Sequence, residues 1–234
     1  MESKPLNREI TELLNQHGCN ITGFADLRAL PKEIRWNFDY GIVLALSYSR
    51  EAMSEHKNGS MRRYYDEWKP MNPRLDELAL LTERYLAAKG YKALAQLPSA
   101  MVSDGDWRTV LPHKTVATLA GLGWIGKCAM LVTREVGSAL RLRVILTNAP
   151  LECGTPVTKS LCGPDCAACV EACPGGAPLG GLWETGADRN SFFNAHACRA
   201  AARARAKETL GIDETLCGLC ISSCPFTKRG LGYE

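Results

Sequence analysis

The distribution of cysteine constrains this chain more than any other feature. Of 11 Cys in 234 residues, Cys19 and Cys128 fall in residues 1–150 and the other nine in residues 151–234. A structured segment of that cysteine density is stapled by disulfides or by metal. Disulfide scaffolds belong to small secreted chains. Here Met1-Glu2-Ser3-Lys4-Pro5 leads into a polar helical pattern, not the charged start and apolar stretch of an export signal. The best apolar runs, such as Ile42 to Leu46, fall far short of the ~20 residues needed to cross a bilayer. The expectation is therefore a cytoplasmic chain with reduced thiols and no membrane partner. Its length suggests one domain plus an appendage, divided into residues 1–151 and 152–234. Net charge is +3, with 20 basic and 16 acidic residues in 1–150, and 8 and 9 in 151–234. Neither part has the basic excess of a nucleic-acid binder.

The first part alternates helix and strand. Leu6, Ile10, Leu13 and Leu14 fall at helical spacing, and His17-Gly18 supplies a stop. Ile21 to Ala25 reads as a strand, and the continuous apolar run Gly41 to Leu46 as a central strand buried on both faces. Leu75, Leu78, Leu81, Tyr85 and Leu86 mark one face of a long helix ended by Lys89-Gly90. Tyr91 to Leu97 is a further strand, and Val116, Leu119 and Ala120 a short helix. Met130 to Val132 and Leu140 to Leu146 read as adjoining strands flanking Gly137. This order predicts a layered α/β or α+β sandwich with helices on a sheet.

The second part contains Cys162-Gly-Pro-Asp-Cys166-Ala-Ala-Cys169-Val-Glu-Ala-Cys173-Pro174. It exceeds by one residue the C-x2-C-x2-C-x3-C-P run of bacterial two-cluster ferredoxins. Cys217-Gly-Leu-Cys220-Ile-Ser-Ser-Cys224-Pro225 supplies the end of a second such run, and Cys198 is the one cysteine between them. Three closely spaced thiolates wrap one face of a cubane, and the cysteine before the proline ligates the opposite cluster. That rule assigns Cys162, Cys166, Cys169 and Cys224 to one [4Fe–4S] cluster, and Cys173, Cys198, Cys217 and Cys220 to the other. Cys153 is left as a spare thiol. Two four-cysteine zinc sites are the alternative use of the same thiolates, but zinc ribbons seldom repeat a proline-terminated x3 spacing.

Ahead of these runs stand Ala120-Gly121-Leu122-Gly123-Trp124-Ile125-Gly126-Lys127, Val136-Gly137-Ser138 and Arg141 to Leu151. Together with the cysteines they resemble epoxyqueuosine reductase, a family related to the reductive dehalogenases. The resemblance is strong from about Ala117 to Pro225 and weaker upstream, where Arg63-Tyr64-Tyr65 precedes the leucine-rich helix. It implies a nitroreductase-like α/β domain that binds base-off cobalamin, joined to a two-cluster ferredoxin-like domain. Gly121, Leu122, Gly123, Trp124, Ile125, Gly126, Lys127, Cys128 and Ser138 would then face the corrin, because glycines permit close backbone approach and Trp124 can pack on a planar ligand. His113 and Lys114 could contact corrin amides or cap the surface. The implied activity is an oxidoreductase passing low-potential electrons from a ferredoxin- or flavodoxin-type donor through both clusters to cobalamin, for reduction of a small molecule. A second reading is reductive activation of a separate corrinoid protein.

Several residues depart from the family pattern. Trp107 stands where the family carries its acid, so Asp104 and Asp106 become candidate proton donors, with Tyr64 and Tyr65 as rivals. Members of full length continue into a helical-repeat region that helps bind tRNA. This sequence stops ten residues after Cys224, which makes tRNA a poor substrate candidate unless a separate recognition domain supplies the contact. Arg199, Arg203, Arg205 and Lys207 form a basic helix patch that could dock an acidic electron donor or simply face solvent.

Overall fold

The computed structural model describes residues 5–19, 21–97 and 105–234. In chain order its elements are α1 (Leu6–Gln16), β1 (Ile21–Asp26), β2 (Tyr40–Ser47), α2 (Arg50–Lys57), α3 (Arg62–Ala88), β3 (Ala93–Ala95) and α4 (His113–Leu119). They continue as β4 (Trp124–Ile125), β5 (Leu131–Val132), β6 (Leu140–Thr147), α5 (Ala168–Glu171), α6 (Ala195–Leu210), α7 (Leu219–Ser222) and α8 (Pro225–Leu231). The architecture is mixed α/β, as the sequence pattern predicts. Among the described residues no helix is long and apolar enough to cross a membrane.

The chain forms two compact units, each assembled from separated segments. The first takes residues 1–46, 71–122 and 141–157; the second takes 47–70, 123–140 and 158–234. The change of unit at residues 70 and 71 falls within α3, beside Pro70 and Pro73, neither of which has an N–H to donate within the helix.

The first unit is organised by a four-stranded sheet in the order β1-β2-β6-β3, with β1 antiparallel to β2 and β3 antiparallel to β6. β2 is interior, and Gly41 through Ala45 are buried, which explains an apolar run with no polar alternation. Ile10 and Leu14 of α1, Leu75, Leu78 and Leu86 of α3, and Ile42, Leu44 and Ile145 of the sheet form one buried core. The strand expected over Tyr91–Leu97 contracts to Ala93–Ala95, where it pairs with Thr147–Ile145.

The reading of Met130–Val132 and Leu140–Leu146 as adjoining strands is corrected by the pairing. β5 pairs with β4, Trp124 opposite Val132 and Ile125 opposite Leu131, in a two-stranded sheet of the second unit. Gly123 permits this: a Cβ there would lie 2.1 Å from the Val132 carbonyl oxygen. Elsewhere in this unit Ser49 caps α2 by accepting from the Ala52 N–H, while its own hydroxyl donates to Glu67 at 2.5 Å. Asn194 caps α6, and Gly211 ends it in the left-handed region at φ 70°.

His113, at the start of α4 in the first unit, offers a pH-dependent stability. Burial, reinforced by the nearby Arg143 guanidinium, lowers its pKa from 6.5 to about 4. Arg143 itself is buried and ion-paired with Asp76 at 2.5 Å. Between those two pH values the unfolded chain binds a proton that the folded chain refuses. The His113 contribution is therefore fully present above pH 6.5 and is lost as pH falls toward 4, by at most about 3 kcal/mol. Urea unfolding at pH 7 and pH 4.5 should show a smaller acid loss in His113→Gln than in the parent. Parallel losses in both chains would contradict this origin.

Candidate functional site: a thiol-lined cavity

The seven cysteines of the two runs and Cys198 all lie in the second unit. Cys162, Cys166, Cys169 and Cys224 line one cavity with Gly126, Lys127, Cys128, Val132, Pro225 and Phe226. Its empty volume is about 350 Å³, including the solvent at its mouth. Three of these cysteines come from the first run and one from the end of the second, 55 residues beyond Cys169. The chain's local geometry explains how they meet. Gly163 to Cys166 closes a turn in which the Cys166 N–H donates to the Gly163 carbonyl at 3.1 Å, absorbing the extra residue of the run. Lys127, 4% exposed, clamps this turn by donating from Nζ to the Pro164 and Cys166 carbonyls at 2.6 and 3.0 Å. Cys169 lies on α5, and Cys224 is the N-cap of α8 ahead of Pro225.

The cavity wall is built from the glycine-rich turn. Trp124, 1% exposed, donates its Nε1–H to the Cys162 sulfur at 3.5 Å and meets Phe226 edge to face at 4.8 Å between centroids. A Cβ on Gly126 would lie 3.6 Å from the Cys162 sulfur and 3.7 Å from that of Cys128. Burial raises the pKa of the Cys224 thiol, against hydrogen bonds from Thr227 and Phe226. The Cys169 thiol is raised by its hydrogen bond with Cys128 and by burial. Buried thiols held in the neutral form by their surroundings become thiolates only when a cationic group compensates them, as a metal centre does.

The second set is tied together by different contacts. The Ala177 N–H donates to the Cys173 sulfur at 3.3 Å. The following Gly175 lies so close to α6 that a Cβ would meet the Ala197 carbonyl oxygen at 2.7 Å and the Ala201 side chain at 2.8 Å, beside Cys198. Cys217 lies within electrostatic reach of Cys173, and burial raises its pKa. Cys220 sits on α7, which packs against α5. Cys128 lies between the sets: its buried thiol is within electrostatic reach of both Cys169 and Cys220. Among the described residues no three His, Cys, Asp or Glu side chains converge tightly enough for a single metal ion. A tetrahedral ion needs sulfurs about 2.3 Å from one point.

The residues expected to face a corrin have other neighbours. A Cβ on Gly121 would lie 2.6 Å from the Thr155 carbonyl oxygen in the first unit, where Leu122 packs over Gly23. Ile125 belongs to a buried cluster with Ala129 and Phe192. Ser138 is buried, and its N–H donates to the Thr227 hydroxyl at 3.0 Å. Gly123 lies against β5, and Trp124, Gly126, Lys127 and Cys128 lie beside the cysteines of the cavity. Of the candidate donors, Asp104 lies outside the described residues. Asp106 stands 3.8 Å from Arg108 at a partly exposed site. Tyr64 is buried between Tyr48 and His56, with ring centroids 4.8 and 4.7 Å apart. Tyr65 stacks on Trp68.

Sequence reading passed over His56. It is fully buried on α2, its Nε2–H donates to the Cys217 carbonyl at 2.6 Å, and its Nδ1 accepts from the Ser222 hydroxyl at 2.9 Å. The carbonyl can only accept, which fixes the tautomer. Burial lowers the His56 pKa to about 4, so the ring is neutral near pH 7. A lone histidine 161 residues from its partner leaves no local signal. Gly218, at φ 80°, leaves room for the Tyr64 ring, which a Cβ would approach to 2.8 Å.

A mixed α/β protein whose second unit gathers two cysteine runs around a thiol-lined cavity is the class that fold and site define. The chain is similar in sequence to curated epoxyqueuosine reductases, and it shares its fold with solved epoxyqueuosine reductases and reductive dehalogenases. It is 33% identical over 207 residues to the epoxyqueuosine reductase of Gloeobacter violaceus, a match covering 80% of this chain and 56% of that protein. It thus spans about half the length of that relative. An epoxyqueuosine reductase solved with an epoxyqueuosine-modified tRNA-Tyr stem loop shares the fold at a TM-score of 0.62 and 21% identity, over 95% of this chain and 65% of that one. A reductive dehalogenase, whose structure is described as suggesting a mechanism for B12-dependent dehalogenation, shares it at a TM-score of 0.68 and 18% identity, over 96% and 32%. No family model matches the chain.

Proposed function

We propose that this chain is the electron-carrying core of a cobalamin-linked reductase. Cys162, Cys166, Cys169 and Cys224 hold one [4Fe–4S] cluster; Cys173, Cys198, Cys217 and Cys220 hold the other. Each cluster accepts one electron at a time from a ferredoxin- or flavodoxin-type donor. The observation that carries this reading is the meeting of Cys224 with the first run around one cavity, the crossed pattern that ties two clusters together. The chain's own residues orient the site: Lys127 holds the first turn, Trp124 donates to a ligand sulfur, and His56 pins the carbonyl of Cys217.

The relatives support cobalamin as the electron acceptor and a small molecule as the final substrate, since one of them is described as B12-dependent. A cofactor held by a separate corrinoid protein is the second reading. It is favoured by the close approach of this chain's own groups to Gly121, Gly123 and Ser138. A tRNA substrate has the support of the solved relative with a stem loop. Cobalamin, a corrinoid protein and a modified stem loop, each offered to the chemically reduced and cluster-loaded chain, separate the three. Cobalamin that copurifies after gel filtration supports the first, reduction of the partner's cobalt without such retention supports the second, and turnover of the stem loop supports the third.

A further inference from the structure

The inner face of α6 carries a cation that the two-cluster reading does not use. Cys198, Ala202, Arg205, Ala206 and Thr209 follow helical spacing along one side of α6, where Ala202 and Ala206 are buried. The Thr209 hydroxyl reaches the Met61 sulfur at 3.0 Å from the same side. The neighbouring arginines are satisfied on the outside: Arg203 pairs with Asp213, and Arg199 donates to the Thr215 hydroxyl at 3.2 Å. Arg205 differs from both. Its Nε is buried with no hydrogen-bond partner, and among the described residues its side chain makes no ion pair. It lies within electrostatic reach of Cys217 and of His56, which itself bonds to the Cys217 carbonyl.

A buried, unmatched guanidinium N–H is costly unless an acceptor or an anion compensates it. A [4Fe–4S] cluster with four thiolates is such an anion. Its core and ligands carry −2 when oxidised and −3 when reduced, so a fixed positive charge favours the reduced form. We propose that Arg205 is a positioning residue for the second cluster, the one of Cys173, Cys198, Cys217 and Cys220, stabilising its reduced state as a fixed positive charge. The proposal rests on the two-cluster reading and assigns a role within it.

The test is an anaerobic redox titration of the reconstituted full chain, followed by electron paramagnetic resonance, with iron and sulfide counted first. In Arg205→Gln and Arg205→Met one of the two midpoints should move negative by about tenfold in its reduction equilibrium, 59 mV for one electron, while the other stays in place. Arg205→Lys should keep most of the parent value. Loss of one cluster in both neutral variants, with retention in Arg205→Lys, is the same result in stronger form. Loaded neutral variants with both midpoints unmoved, or loss of the cluster in Arg205→Lys as well, would overturn the role of the charge. A parent chain that takes up no iron would instead refute the two-cluster reading itself.

Discussion

Cys166→Ala combined with Cys169→Ala should halve the iron and sulfide that the chain takes up on anaerobic reconstitution, from about eight of each to about four. Of the five thiols on the first cavity the replacements leave Cys162, Cys224 and Cys128, which is not an assigned ligand, and two ligand thiolates cannot retain a cubane. The second set shares no ligand with those removed, so its spectrum should persist. Cys128 adds a sharper element, because its buried thiol lies near Cys169 and Cys220 and lines the same cavity. If it served as a substitute ligand, the single Cys169→Ala variant would keep its iron and the double variant with Cys128→Ala would lose it. Cys153→Ala is the control: that thiol lies in the first unit, donating to the Leu151 carbonyl at 3.4 Å, and its loss should leave the iron count unchanged. Full iron in the double Cys166 and Cys169 variant would contradict the assignment.

Gly123→Ala should be the most damaging single methyl addition near the site. A Cβ there would meet the Val132 carbonyl oxygen at 2.1 Å and the Val132 carbonyl carbon at 2.9 Å, both backbone atoms that no side-chain rotation can move aside. Relief requires β4 to separate from β5, which breaks the pairing of Trp124 with Val132 and shifts the Trp124 indole away from the Cys162 sulfur. Overpacking of this kind costs about 3 kcal/mol, or about 10 °C in Tm for a chain of this size. The first cluster should be the more weakly held in the variant. Gly163→Ala supplies the contrast within the same region, since the nearest atom to its Cβ would be that of Cys166 at 4.0 Å. Its effect should stay within about 0.5 kcal/mol. Equal melting temperatures for Gly123→Ala and the parent would show that the hairpin does not depend on this close approach.

What could be read without coordinates was whatever depends on neighbours in sequence. The cysteine runs are local, because three ligands of one site are separated by two or three residues, and a spacing rule is enough to pair Cys224 with the first run. The buried strand Tyr40–Ser47 was legible for the same reason: a strand covered on both faces has no polar alternation to disguise it. Residues 47–70 were not legible as part of the cysteine-bearing unit, since the contacts of His56 and Tyr64 with residues 217 to 222 span more than 150 positions. The glycine-rich turn was only partly legible. Glycine signals close approach without saying to what, and here the approaching groups are the Thr155 backbone, the Val132 carbonyl and two thiols. The basic residues of α6 likewise read as one surface patch, although helical phase turns Arg205 inward while Arg203 reaches Asp213.

The central claim is that the second unit carries two iron–sulfur clusters in crossed ligation. Its most direct measurement is a metal and sulfide count on the full chain after anaerobic reconstitution, with Mössbauer spectra of iron-57 protein. The account predicts about eight iron and eight sulfide per chain, all in [4Fe–4S] form. Stoichiometric zinc with no sulfide, or a single cluster that survives removal of Cys162, Cys166, Cys169 and Cys224 together with no loss of iron, would contradict it.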